Sequence, residues 1–400
     1  MEAVRHALIR RNILKLYALQ ALQGAIVLIP VLIPFYQSNG IPLTQVYLLE
    51  AIFSIQVLLL EIPTGYIADR WGRRNTLIAA TFFWCSGWIC YAAGHSFGTF
   101  MIGELLMGLG VSLYSGTIEA MTYDSLLEMG ETDRYRRVAG HQAFLTFITE
   151  AGASILGGFI AFWSLRAAAW TTAGMILVAF LISLTLVEPR RHKQLEEKEH
   201  LRALRRTITH TLVENIPLRS IIVLHSIIAT MTLCLFWFTQ PYQMAVGLPV
   251  EFFGIAHAVI VTAGAFASRE THRLAQRIDD RLFLLLIAFA VVLCYAALGA
   301  VTALWGISFF LIGRIAWGFL SPLTSDMVNR MTTSDVRATV LSIRAMGSRI
   351  LFACSIPFFG LIADRSGSLS PVFFLMVIIG GMSLSCVFLL MQPVWERIPE

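Results

Sequence analysis

The sequence predicts an all-α membrane protein of twelve transmembrane helices arranged as two pseudo-symmetric six-helix halves. Three observations predict it. The chain is 57% hydrophobic and 14% charged, with a mean hydropathy of +0.71, more apolar than a soluble domain with a solvated surface can be. Its apolar runs are continuous and long, without the alternation at about 10-residue spacing that a transmembrane barrel needs. A bilayer core takes roughly 20 residues per helix, and 400 residues shared among twelve spans leave about 33 for each helix with its connection.

Met1 to Asn12 carries Arg5, Arg10 and Arg11 and runs into an apolar segment with no small-residue cleavage site. That predicts a first transmembrane helix and not a removed signal peptide. The twelve spans fall at 13–36, 43–68, 77–94, 98–123, 141–163, 166–187, 218–243, 250–270, 282–302, 304–329, 338–363 and 370–392. Threading them with both ends on one side collects six arginine-bearing segments there: 5–15, 70–74, 134–137, 190–219, 269–281 and 330–337. Only Arg166 and Arg365 fall opposite. By the positive-inside rule the first side, with both termini, is cytoplasmic.

Residues 1–187 are expected to form the N-terminal half, 188–217 a cytoplasmic linker and 218–400 the C-terminal half. The linker's mixed charge and its leucines Leu195, Leu201, Leu204 and Leu212 fit an amphipathic helix lying along the membrane face, or equally a solvated linker helix. The six cysteines lie in apolar stretches without metal-ligand spacing, so they read as small core residues with no disulfide framework. The net charge of +5 reflects arginine gathered on one side of the membrane and does not imply nucleic acid.

No Gly-x-x-x-x-Gly-Lys phosphate loop, no His-Glu-x-x-His and no cysteine cluster occurs, and no soluble stretch is long enough to house an active site. The reading is therefore of a non-enzyme with no cofactor. Absence of an Asn-x-Ser/Thr sequon from the outer loops is compatible with a bacterial inner membrane.

Between the second and third spans stands Gly65-Tyr66-Ile67-Ala68-Asp69-Arg70-Trp71-Gly72-Arg73-Arg74. An acid, three arginines and two glycines within ten residues cannot continue an apolar helix into lipid, so the chain must turn at the surface. This stretch resembles the Gly-x-x-x-Asp-Arg-x-Gly-Arg-Arg/Lys signature of the major facilitator superfamily of secondary transporters, and it matches every fixed position. The resemblance implies two six-helix halves around a central cavity and a conformational latch made of Gly65, Asp69, Arg70, Gly72, Arg73 and Arg74. The acid of the latch is implied to pair with an arginine on helix 11, here Arg344 with Arg349 as rival, near an acid ending helix 4, here Asp124. The alternative is that these arginines only obey the positive-inside rule.

The halves echo each other. Gly103-Glu104-x-x-x-Gly108 in span four matches Gly313-Arg314-x-x-x-Gly318 in span ten at an offset of 210 residues (104 to 314). Gly158-Phe159-Ile160-Ala161 matches Gly360-Leu361-Ile362-Ala363 at an offset of 202 (158 to 360). Their common order supports an internal duplication.

Ionisable groups inside the membrane cost roughly 2.5–3.5 kcal/mol each at a helix centre, so they are functional candidates by default. They are Glu50 and Glu61 in span two, Glu104 and Glu119 in span four, Glu150 in span five, Arg314 and Asp326 in span ten, and Arg344 and Arg349 in span eleven. His225 and His257 can also titrate. Glu104, Gly108, Ser115 and Glu119 fall on one helical stripe, which the resemblance would turn to the cavity. A carboxyl there can bind a proton or a cationic solute, each excluding the other; the alternative is a Glu104 that merely reaches the interface.

Tyr17, Gln20 and Gln23 in span one, with Trp237, Gln240, Tyr242 and Gln243 in span seven, suit a pocket for an amphipathic molecule. Trp237 and Tyr242 fit interfacial anchors as well, and the two glutamines an interhelical hydrogen bond. The resembling antiporters end a glycine-rich helix 5 with Gly-Pro-x-x-Gly-Gly. Here Gly157-Gly158 remains, Gly140 fits the first glycine, and the proline is gone.

The expected function is a monomeric secondary transporter of a small organic solute, coupled to protons and exporting. Proton symport into the cell is the alternative, and a channel or lipid-binding protein the remote one.

Overall fold

A computed structural model describes residues 2–190, 209–333 and 336–395. Among the described residues the regular structure is helical, and twelve stretches are long and apolar enough to cross a membrane. The helices are α1 (Glu2–Gly24), α2 (Leu32–Ser38), α3 (Leu43–Trp71), α4 (Arg73–Ala93), α5 (Phe97–Tyr114), α6 (Thr117–Glu128), α7 (Tyr135–Trp163) and α8 (Leu165–Leu184). They continue with α9 (Ile216–Ala245), α10 (Phe253–Ala275), α11 (Asp280–Ala300), α12 (Phe309–Met331), α13 (Arg337–Ser366) and α14 (Ser370–Trp395). The candidate linker leucines Leu195, Leu201 and Leu204 lie outside the described residues.

The chain divides into two compact units: Met1–Lys193 with Pro249–Val259, and Gln194–Leu248 with Ile260–Glu400. Large apolar side chains face outward in both, among them Leu14, Phe162 and Trp163 in the first and Phe289, Met382 and Leu390 in the second. Water would penalise such a surface, whereas hydrocarbon does not.

Two spans are broken, which the apolar runs do not announce. The first stops at Gly24 and resumes through a 3-10 turn at Ile29–Val31 into α2. Pro30 lacks an N–H and clashes with the carbonyl four residues before it, so a straight helix cannot pass. A free amide in lipid costs several kcal/mol, and here the Leu28 N–H donates to Thr172 Oγ1 of α8 at 3.0 Å. The fourth span breaks between α5 and α6 at Gly116, whose φ of +71° is open to glycine and costly for other residues. This break interrupts the stripe expected from Glu104 to Glu119: Glu104 is buried on α5, whereas Glu119 is exposed in the first turn of α6.

Small residues bring helices together in both units. A Cβ at Gly157 would stand 2.0 Å from the Val27 carbonyl, and one at Gly254 would stand 2.0 Å from the Ser154 carbonyl. In the second unit a Cβ at Gly318 would meet the Gly264 carbonyl at 2.4 Å. Of the echoed glycines, Gly158 and Gly318 mark close backbone approaches, whereas a Cβ at Gly108 or Gly313 would meet the side chains of Gln56 and Leu235. Of the cysteines, Cys85, Cys234 and Cys294 are buried as expected, but Cys354 and Cys386 are exposed. A small apolar side chain facing lipid has no water to avoid, so apolarity in a span does not by itself place a residue in the core.

Candidate functional site

The signature loop is a tight turn. Gly72 joins α3 to α4 with φ +102° and ψ 148°, a conformation that a Cβ would strain, which explains the glycine there. Gly65 differs: a Cβ built on it meets nothing within 4 Å. Arg73 opens α4 and links two acids. Its Nη1 lies 2.8 Å from Asp69 Oδ1 and its Nε 3.4 Å from Asp124 Oδ2 at the end of the fourth span. Asp69 is the exposed member of this cluster, with a side chain 66% accessible. Arg70 turns away and lies over the Tyr66 ring, donating to its hydroxyl at 3.0 Å.

Glu188 completes the cluster. Its carboxylate accepts from the backbone N–H groups of Arg73 at 3.0 Å and Arg74 at 2.7 Å, at the positive end of the α4 dipole. The Arg74 guanidinium returns the contact, donating to the carbonyls of Leu184, the last residue of α8, at 3.0 Å and of Leu186 just beyond it at 2.7 Å. Arg5 adds a forked pair to Glu128 at 2.6 and 3.1 Å. The one signal for Glu188 in the sequence is an acid immediately after the last apolar residue of a span.

Glu104 lies in a buried polar cluster of the first unit. It is 3% exposed, and the hydroxyls of Tyr91 and, at 3.2 Å, Tyr36 lie within hydrogen-bond reach of its carboxyl and of each other. Glu50 of α3 is buried as well, 7% exposed. Phe100 stands at 5.2 and 5.3 Å from the rings of Tyr36 and Tyr91, excluding lipid from the hydroxyls. Gly103 is what admits Tyr91, since a Cβ there would sit 2.7 Å from that ring. The Gly-Glu pair is therefore one device: the glycine seats the tyrosine that the glutamate binds. Glu104 thus does not reach the interface as a lone acid. Tyr36 and Tyr91 were not among the expected residues, because an aromatic in an apolar helix carries no mark that its hydroxyl is used.

Glu150 on α7 faces His257, with Oε1 and Nε2 3.7 Å apart. Tyr17 stacks obliquely with His141 at 6.3 Å, and Gln20 Oε1 is buried without a hydrogen bond; Gln23 is half-buried beyond it. In the second unit Gln240 is buried and Trp237 packs edge-on against Phe236. Tyr242 is buried and donates to the Val301 carbonyl at 2.8 Å. Arg314 lies along α10, where a Cβ at Gly264 would meet its Cγ at 2.8 Å. Arg344 is buried and donates to Thr324 Oγ1 at 2.5 Å and to the Ser321 carbonyl at 3.2 Å.

Arg330 of the second unit pairs with Asp280 at the start of α11 and with Asp326 at 3.3 Å. This repeats the Arg73–Asp124 link with the charges exchanged between helix start and helix end. Among the described residues no group of histidine, cysteine and acid side chains could hold a metal ion.

A family model described as Major Facilitator Superfamily matches residues 16–353. The lysophospholipid transporter LplT of Photorhabdus laumondii is 28% identical over 132 residues, 33% of this chain and 31% of that protein, so the chain spans about a third of that relative's length. Two solved structures share the fold. A point mutant of the nucleoside transporter NupG has a TM-score of 0.80 at 14% identity, covering 95% of this chain and 99% of that one. A D-xylose-proton symporter has a TM-score of 0.72 at 13% identity, covering 99% and 98%.

Proposed function

Since the chain belongs to the Major Facilitator Superfamily and is an integral multi-pass membrane protein, we propose that it carries a small organic solute by alternating access, coupled to protons and in the direction of export. The observation that carries the coupling is the Glu104 carboxyl, buried with Glu50 and hydrogen-bonded by Tyr36 and Tyr91. A carboxyl buried among hydroxyls in an apolar unit is suited to binding and releasing a proton. Glu150, which faces His257, is the second candidate for the coupling group. The Asp69, Arg73 and Asp124 cluster is the part that makes and breaks ion pairs as the carrier changes state.

The export direction rests on the intramembrane acids, the aromatic and amide content of the first and seventh spans, and the retained glycines of the fifth. Proton symport into the cell is the second reading, favoured by the missing proline in that span. The reading takes the carrier as a monomer in a bacterial inner membrane with both termini cytoplasmic.

The test uses everted membrane vesicles with an imposed pH gradient, acid inside, challenged in turn with lipophilic cations, zwitterions and organic anions. Dissipation on adding a compound supports proton-coupled export of that class. A gradient that no compound disturbs, with the solutes accumulating instead in right-side-out vesicles, contradicts export.

A further inference from the structure

The second unit buries a cation, Arg344, that forms no ion pair among the described residues. Arg344 is 8% exposed. Its Nη1 is occupied by Thr324 and Ser321 of α12, while its Nε is buried and makes no hydrogen bond. Among the described residues Asp280 and Asp326 hold Arg330, Glu270 holds Arg273, and Asp279 caps α11. Arg349, five residues further along α13, has no ion pair among the described residues either.

Thr324 fixes the guanidinium. Its single hydroxyl proton goes to the Leu320 carbonyl at 2.7 Å, so both Arg344 and His225 Nδ1, the latter at 2.8 Å, donate into its lone pairs. The Arg344 fork is thereby held by Nη1, and its buried Nε, on the edge it shares with Nη2, is left without a hydrogen-bond partner. That edge seats an oxyanion side-on through two parallel hydrogen bonds. A hydroxyl and a carbonyl solvate a buried guanidinium but do not neutralise it, and an uncompensated buried charge costs several kcal/mol.

We propose that Arg344, aimed by Thr324 and Ser321, binds the carboxylate or phosphate group of the transported solute, which makes the cargo an organic anion. The proposal rests on the transporter reading but not on its proton coupling or direction.

The test is thermal unfolding of the purified full chain in neutral detergent with four probes of one chain length: octanoate, octyl phosphate, octyltrimethylammonium and octanol. The two anions are expected to raise the midpoint saturably by several degrees, and the cation and the alcohol not to. The shift disappears in Arg344→Gln and weakens in Arg344→Lys, which keeps the charge but loses the fork. Whichever anion gives the larger shift names the head group, and either supports the site. Equal shifts from all four probes, or a full shift in Arg344→Gln, overturn it.

Should Arg344→Gln not fold, Thr324→Val leaves the cation in place but unaimed. A severalfold weaker anion affinity is then expected, and an unchanged one overturns the proposal. Glu104→Gln keeps the anion shift, so failure of the proton reading and failure of this one are told apart. In Asp69→Asn the shift is expected unchanged; anion binding that emerges only in that variant assigns the open edge to the Asp69 carboxylate and overturns the cargo site.

Discussion

Glu188 and Arg74 clasp each other's helix ends. The carboxylate takes the Arg74 backbone N–H at 2.7 Å, while the guanidinium takes the carbonyls of Leu186 and Leu184. Two sets of unpaired helix-end groups are satisfied by one pair of residues. Replacing Glu188 with Ala removes a carboxylate from the α4 N-terminus, which is worth about 1 kcal/mol. Glu188→Gln, which keeps one acceptor, should lose less. Midpoints of thermal unfolding check the order wild type, Gln, Ala; an Ala variant as stable as wild type contradicts it.

Gly103 and Gly98 lie on the same helix but face different surroundings. Gly103→Ala drives a Cβ into the Tyr91 ring, and overpacking of this kind costs about 1–3 kcal/mol. It also moves the Tyr91 hydroxyl from Glu104, so transport should fall along with stability. Gly98→Ala meets nothing within 4 Å and should leave both unchanged. The pair of variants, assayed side by side, separates a packing requirement from general intolerance of α5.

Thr172 mends the break in the first span. Thr172→Val keeps shape but orphans the Leu28 N–H, at a cost of about 1–3 kcal/mol. Thr172→Ser restores the acceptor and should recover most of the loss. Equal stability of the Val and Ser variants would show that the hydrogen bond at 3.0 Å carries no weight.

Asp69 is two-thirds accessible and shares Arg73 with Asp124, and an exposed pair contributes less than about 1 kcal/mol. Asp69→Asn should therefore insert and fold normally. Its transport rate should nevertheless fall, because the ion pair matters to the change of state and not to the resting fold. Normal turnover in this variant removes the cluster from the mechanism.

The twelve spans and the signature loop were legible because hydrocarbon enforces long apolar runs and arginines end them, so 43–68 and 370–392 lie within a few residues of the observed helices apart from the polar end of α3. The signature's turn at Gly72 was legible for the same reason. The breaks at Pro30 and Gly116 were not; at the first, the freed Leu28 N–H is satisfied by a residue as distant in sequence as Thr172. Glu104 stood out as a charge where charges are expensive. Its partners did not: Tyr36 and Tyr91 come from α2 and α4, and only packing reveals that their hydroxyls converge. Likewise Glu188 reads in sequence as the first residue of a polar linker, and only the fold sets it under the start of α4.

Proton coupling through Glu104 is tested by comparing wild type with Glu104→Gln in everted vesicles, following both the pH gradient and the exchange of a labelled solute. In wild type, adding solute should dissipate the gradient. In Glu104→Gln the labelled solute should still exchange while the gradient stays intact, because the carrier keeps its solute site and loses its proton. Dissipation equal to wild type in that variant would place the coupling proton elsewhere and contradict the account.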